Sequence, residues 1–193
     1  MFANPAIASL ALPTRSQVPL RKRILLLDAV AFQGVWLACV LSGASGMPLI
    51  GLGALVLYAG LHRTIITKTF PRLGGALMLL LAGATADLVL TQSPILRYTF
   101  HNTGPLLPPL WILCLWTALA FSMTASLRWL NGRPVLAFIL FGLSGALSYR
   151  AGIALGAAEI TGLVGLSGFA VIYLCFGTIG SAFGAGLIQL QRH

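Results

Sequence analysis

Six long apolar stretches divide the chain, and this alternation constrains the fold more than any other feature. A helix needs about 20 apolar residues to cross the hydrocarbon core of a bilayer. By this measure, residues 24–42, 48–61, 73–90, 106–127, 135–155 and 161–190 are predicted spans. The second is short unless it continues through Ile65 and Ile66. Between the stretches lie the Pro, Gly and Asn residues that end helices. We predict an all-α membrane protein, a bundle of about six transmembrane helices.

The composition agrees with a lipid environment. Hydrophobic residues make up 58% of the 193 residues and charged residues only 8%, which is too little polar surface to coat a water-soluble protein. The net charge of +9 does not indicate nucleic acid, because Lys and Arg occur in short groups between apolar runs and form no single face. The predicted partner is therefore the lipid bilayer, and no nucleic acid partner is expected.

The basic residues predict the orientation. With six crossings, ten cations fall on the side that receives both termini and two, Arg97 and Arg150, fall on the other. Because cytoplasmic loops carry the excess of Lys and Arg, both termini are predicted to be cytoplasmic. The larger group is Arg15, Arg21, Lys22, Arg23, Arg63, Lys68, Arg72, Arg128, Arg133 and Arg192.

The N-terminal region is predicted to be a loose cytoplasmic tail over residues 1–20, followed by a single transmembrane domain over 21–193. The cations at 21–23 also resemble the start of a secretory signal. Asp28 and Gln33 interrupt the apolar run that follows, so an uncleaved first helix is favoured. Trp111 and Trp129 lie 18 residues apart, roughly 27 Å along a helix, as expected for rings at the two interfaces of the fourth span.

Small residues predict close helix contacts. In lipid, helices associate by packing, and small residues allow their backbones to approach. Gly180 and Gly184 supply such a surface on the sixth helix. A strip on the fifth helix consists of Gly142, Gly145, Ala146, Gly152 and Gly156.

A Gly-Leu-Ser-Gly motif at Ser144 and again at Ser167 resembles intramembrane serine proteases. Such an enzyme needs a base, commonly a histidine on a neighbouring helix. Helices four, five and six contain no histidine, so protease activity is disfavoured and no catalytic residue is assigned. The three His and three Cys residues show no metal-ligand spacing, so no metal site and no cofactor are predicted.

The only three acids, Asp28, Asp87 and Glu159, lie within or beside predicted spans. A carboxylate in lipid needs water, a proton or a cation. We predict that Asp87 and Arg150 approach each other, with Arg97 or Glu159 as competing partners. This pair is either a structural clamp or part of a polar pocket that includes Thr91, Gln92 and Tyr149.

A second polar site is predicted at the cytoplasmic end of the first helix. It would contain Asp28, Gln33 and Arg128, with Asp28 balanced either by the cations at 21–23 or by Arg128.

Several short motifs occur in an order that resembles an uncharacterised family of small bacterial inner-membrane proteins, a domain of unknown function. They are FQGVW at 32–36, DLVL at 87–90, PLWILCLW at 109–116, SLRWL at 126–130 and ALSYRAGIALGA at 146–157. The resemblance covers about residues 24–160 and implies a multi-pass protein of the bacterial inner membrane. Family members look like LNHSL where this chain has MTASL at 123–127, which weakens the expectation of a shared polar site on helix four.

Three functions stay open. The favoured one is a non-enzymatic accessory or carrier-like component that binds a lipid, a small molecule or a membrane protein partner. The alternative is an intramembrane lipid-modifying enzyme that uses Asp87, Arg150 or Tyr149, although acid–base catalysis usually needs two poised groups. The third possibility, a small secondary transporter, is the least favoured, because we find no persuasive inverted repeat.

Overall fold

The computed structural model describes residues 17–93, 95–100, 103–104, 107–160 and 165–191, with side chains described except at 17–21 and 165–166. Over these residues it contains six α-helices and one two-stranded sheet, so the predicted helical bundle is confirmed. The elements are α1 (Gln17–Ser45), α2 (Pro48–Leu61), α3 (Leu73–Gln92), β1 (Leu96–Tyr98), α4 (Leu110–Ser122), α5 (Pro134–Ala154), β2 (Ala158–Ile160) and α6 (Gly165–Gly184). Residues 1–16 of the predicted tail lie outside the described residues, and α1 already begins at Gln17.

Five of the described helices are long and apolar enough to cross a bilayer. Their spanning segments are Lys22–Ser45, Pro48–Ile66, Leu73–Gln92, Pro134–Ala154 and Ser167–Gly184. The second reaches this length because a π-helical turn, His62–Ile66, continues α2. A helix of 19 residues rises about 28 Å, close to the roughly 30 Å of hydrocarbon that it must cross.

The fourth helix is shorter than predicted, which corrects the expected span over 106–127. It has 13 residues, about 20 Å in length. Pro108 and Pro109 precede it, and the chain turns after Ser122 because Asp28 accepts the backbone N–H of Ser126 that a continued helix would use internally. α4 ends at Ser122 and Trp129 lies beyond it, in a 3₁₀ turn over Arg128–Leu130, so the expected pairing of Trp111 and Trp129 at two interfaces of one helix was also wrong.

The helices form two groups. α1, α2 and α4 pack together, and α5 and α6 form an antiparallel pair. α3 packs against both α4 and α6, so it joins the groups. Large apolar side chains such as Leu26, Leu57 and Leu81 are exposed on the outside, whereas Asp28 and Asp87 are completely buried. This distribution is the reverse of that in a water-soluble protein and fits a lipid environment.

Glycines allow α5 and α6 to approach closely. A Cβ added at Gly142 would overlap the ring of Tyr173, and one added at Gly145 would overlap Phe176. From the other side, Gly180 faces Phe141 and Gly184 faces Pro134.

Three residues of the predicted small-residue strip remain: Ala146, Gly152 and Gly156. Ala146 is half-buried on α5. No atom lies within 4 Å of a Cβ added at Gly152 or Gly156, so neither belongs to the α5–α6 contact. Gly156 instead ends α5, because its φ of +81° is a conformation that glycine adopts without strain.

A small sheet closes one end of the bundle and was not predicted. β1 and β2 are antiparallel, with Leu96 opposite Ile160, Arg97 opposite Glu159 and Tyr98 opposite Ala158. Since successive side chains of a strand point to opposite faces, Arg97 is exposed while Tyr98 is buried. The sheet therefore holds Tyr98 over the interior of the bundle. We call this the sheet end, and the opposite end, where α2 finishes and α3 begins, the basic end.

Candidate functional site

A fully buried carboxylate, Asp87 of α3, lies near the sheet end. Tyr98 and Tyr149 donate their hydroxyl hydrogen bonds to Oδ1, the former at 2.5 Å, and Trp116 Nε1 donates to Oδ2 at 2.7 Å. The two tyrosine oxygens lie 3.0 Å apart. Three elements besides α3 therefore supply donors to one carboxylate: β1, α4 and α5. Gly83, one turn before Asp87, lies against the indole of Trp116, and a Cβ there would overlap the ring.

Tyr98 lies outside the spanning segments. Burial raises the pKa of its hydroxyl well above the usual range, and the Asp87 charge acts in the same direction. Tyr98 therefore keeps its proton at neutral pH and stays a hydrogen-bond donor to Asp87.

A second buried carboxylate, Asp28 of α1, lies near the basic end. Its Oδ1 is 2.6 Å from His62 Nε2 and accepts a 2.7 Å hydrogen bond from Tyr58. Its Oδ2 accepts the backbone N–H of Ser126 at 2.9 Å and the hydroxyl of Ser122 at 3.5 Å. This site ties α1, α2 and the turn after α4 together.

His62 is placed for this contact by the π-helical turn that it begins. The carbonyl of His62 accepts backbone N–H groups from both Thr67 and Lys68, which widens the end of α2. Its ring packs against Tyr58 and Phe121, at centroid distances of 4.8 and 5.1 Å.

A cavity of about 590 Å³ lies between α1, α4 and α5. Asp87 and Tyr149 line it near the sheet end, and Ser122 and Ser126 line it near the basic end. Because both serines contact Asp28, the cavity extends from one carboxylate site to the other. This volume is in the usual range for sites that bind small molecules.

The cavity opens between α1 and α5. Gln33 of α1 and Leu140, Ser144 and Leu147 of α5 line it and are also exposed. These residues lie toward the middle of the segments that are long and apolar enough to span a bilayer. One hydrogen bond joins the two helices beside it, from Trp36 Nε1 to Ser148 Oγ at 2.6 Å.

The structure brings together only some of the predicted site residues. Tyr149 donates a hydrogen bond to Asp87, as their predicted proximity requires. The predicted approach of Arg150 to Asp87 was wrong, because Arg150 is exposed. Tyr149 and Arg150 are neighbours on α5 and point about 100° apart, so only one of them can face α3. Thr91 donates to backbone carbonyls of its own helix, and Gln92 is exposed.

The second predicted site also changes. Arg128 is exposed and does not pair with Asp28, whose basic neighbour is His62. Gln33 lines the cavity. No group of three or more His, Cys, Asp or Glu residues that could hold a metal occurs among the described residues. His101 lies outside them.

Sequence reasoning missed His62, Tyr58, Tyr98 and Trp116. The sequence did contain a signal for His62, because the predicted order of the spans already places it at the same membrane end as Asp28. No comparable signal pointed to Tyr98, since a three-residue strand in a connection has no distinctive pattern.

Apolar outer faces, helices of spanning length and two completely buried carboxylates define the class: a multi-pass helical membrane protein. A family model described as "Protein of unknown function (DUF2878)" matches residues 25–178. The chain belongs to this family, and the resemblance to an uncharacterised family is thereby confirmed. Neither a curated protein nor a solved structure matches the chain.

Proposed function

We propose that the protein is a non-enzymatic binding component that holds a lipophilic small molecule in the cavity between α1, α4 and α5. The observation that carries this proposal is the position of the cavity mouth. Gln33, Ser144 and Leu147 are exposed at mid-depth of their spans, so a molecule dissolved in the bilayer reaches the cavity without crossing water.

The chemistry of the wall supports the same proposal. Most lining side chains are aromatic or aliphatic, and a few polar groups, among them Asp87, Gln33 and Ser148, lie between them. Small-molecule sites commonly combine an apolar wall with a few polar groups that fix orientation. Asp87 and Asp28 each accept at least three hydrogen bonds from the protein, which favours a fixed binding role over acid–base catalysis.

The experiment fills the cavity without disturbing the helices. Gly152 lines the cavity, and no atom lies within 4 Å of a Cβ added there, so Gly152→Leu places a side chain in open space. Gly53→Leu on α2 is the matched control, because Gly53 is equally unhindered but does not line the cavity. Both variants are purified in lipid nanodiscs, and bound small molecules are compared with wild type by mass spectrometry.

We expect a molecule that copurifies with wild type and Gly53→Leu to be lost from Gly152→Leu. Equal recovery of the same molecules from all three proteins would refute binding in the cavity.

The proposal includes a location, the bacterial inner membrane with both termini cytoplasmic. Lys22, Arg63, Lys68 and Arg72 at the basic end, against Arg97 and Arg150 at the sheet end, support this orientation. Compartment reporters fused before Met1 and after His193 should both report the cytoplasm. Opposite compartments, or two periplasmic signals, would refute it.

A further inference from the structure

We propose that the ligand of this cavity is a lipophilic organic cation, an amine or quaternary ammonium group on an apolar body. The inference rests on the proposed binding function and adds the charge of the ligand. The inference comes from the neutral and aromatic groups around Asp87 and from the lack of basic side chains in the described cavity wall.

Asp87 is an acid without a basic partner. It is completely buried, and its three donors are neutral groups of Tyr98, Tyr149 and Trp116. Among the described residues, the one close contact between an acid and a basic side chain is that of Asp28 with His62. An ionised carboxylate in a membrane interior is costly unless a positive charge lies nearby. Trp116 and Tyr149, which cover this carboxylate, line the cavity with it, so a ligand held against their rings can supply that charge nearby.

Aromatic rings surround this carboxylate. Phe176 packs against Trp116 at a centroid distance of 5.1 Å and against Tyr149 at 5.6 Å, and all three rings line the cavity. Trp111, also in the wall, packs edge-on against Tyr98 at 5.4 Å. Aromatic faces attract ammonium groups, and the attraction grows when water is excluded. A carboxylate set among such rings is suited to a cation that carries apolar substituents.

The rest of the wall disfavours an anion. Within the described part of the chain, no Lys, Arg or His side chain lines the cavity, and its other polar groups are neutral, such as Gln33, Ser144 and Ser148. A fatty acid or a phosphate ester would bring a second negative charge beside Asp87 without a counter-charge. The aliphatic and aromatic lining is suited to the apolar body of the ligand.

The test uses two probes with the same tail and different heads, dodecyltrimethylammonium and dodecanol. Binding is measured in nanodiscs by the quenching of wall tryptophans with brominated forms of each probe. Four proteins are compared: wild type, Asp87→Asn, Glu159→Gln and Gly152→Leu. Glu159→Gln is the matched control, because it removes one negative charge from an exposed strand residue away from the cavity.

We expect wild type and Glu159→Gln to bind the ammonium probe at least roughly tenfold more tightly than dodecanol, and Asp87→Asn to lose that preference while still binding dodecanol. Asp87→Glu keeps the charge and should keep the preference if Asp87→Asn does not fold.

The two proposals fail in different ways. Equal affinity of wild type for both probes, with both lost in Gly152→Leu, would overturn the cationic ligand and leave the binding function standing. Quenching that is unchanged by Gly152→Leu for both probes would overturn both proposals.

Discussion

From the hydrogen bonds at Asp87 we predict how replacing the carboxylate with an amide changes the free energy of unfolding. Both tyrosines donate to Oδ1, so the amide oxygen of Asp87→Asn should take that position. The amide nitrogen then faces Trp116 Nε1, which donates to Oδ2 in the native protein. Two donors would meet without an acceptor. A buried polar group that loses its partner costs about 1–3 kcal/mol, so we expect Asp87→Asn to lower the free energy of unfolding by about that amount.

A second substitution tests the reason for that loss. In the native background, Trp116→Phe removes the donor to Oδ2 and should cost about 1–3 kcal/mol or more. In the Asp87→Asn background the same change removes the conflicting donor, so it should cost much less. The double-mutant cycle should therefore show a coupling of about 1–3 kcal/mol.

The assay is reversible unfolding in mixed micelles, followed by circular dichroism, for the four proteins of the cycle. Costs that add to within about 0.5 kcal/mol would refute the reasoning, because independent sites behave in that way.

Three further perturbations have expected outcomes. Gly145→Leu should destabilise the bundle by about 1–3 kcal/mol in the same unfolding assay, because an aromatic ring occupies the space of its Cβ, whereas Gly152→Leu should not. His62→Ala leaves the buried Asp28 without one of its hydrogen-bond partners and should cost about 1–3 kcal/mol, measured as the loss of folded protein in detergent; an undiminished yield would contradict it. The raised pKa of Tyr98 means that the unfolded chain loses its phenolic proton first, so the unfolding free energy should fall above about pH 10, and this fall should be smaller in Tyr98→Phe.

Hydropathy predicted the helices because spanning length is a property of local sequence. The bounds of α2, 48–61, agree with the prediction, and its continuation through Ile66 follows from the apolar residues there. α4 was predicted too long because its end depends on a residue far away in sequence. Asp28, 98 residues before Ser126, takes the backbone N–H at that point, and no local pattern encodes such a contact.

The candidate site shows a second limit of sequence reasoning. An acid in a span suggests an opposite charge as its partner, and this reasoning predicted Arg150 for Asp87. The protein instead uses neutral donors from three other elements. Which of two adjacent residues faces inward depends on the rotation of α5, which its contact with α6 sets. Asp87 and Tyr149 could be named from the sequence, but their hydrogen-bond partners needed the fold.

The short fourth helix has a consequence for how this protein is made. Most side chains of α4 are buried among its neighbours, and the irregular backbone after Ser122 is stabilised by Asp28 of α1. Non-helical backbone at membrane depth is tolerated only where protein covers it. We therefore expect α4 to enter the bilayer together with α1 during biosynthesis, because its 13 residues are shorter than a span and the turn at its end needs Asp28. A nascent chain that stops after α4 but lacks α1 should be retained by the insertion machinery or degraded.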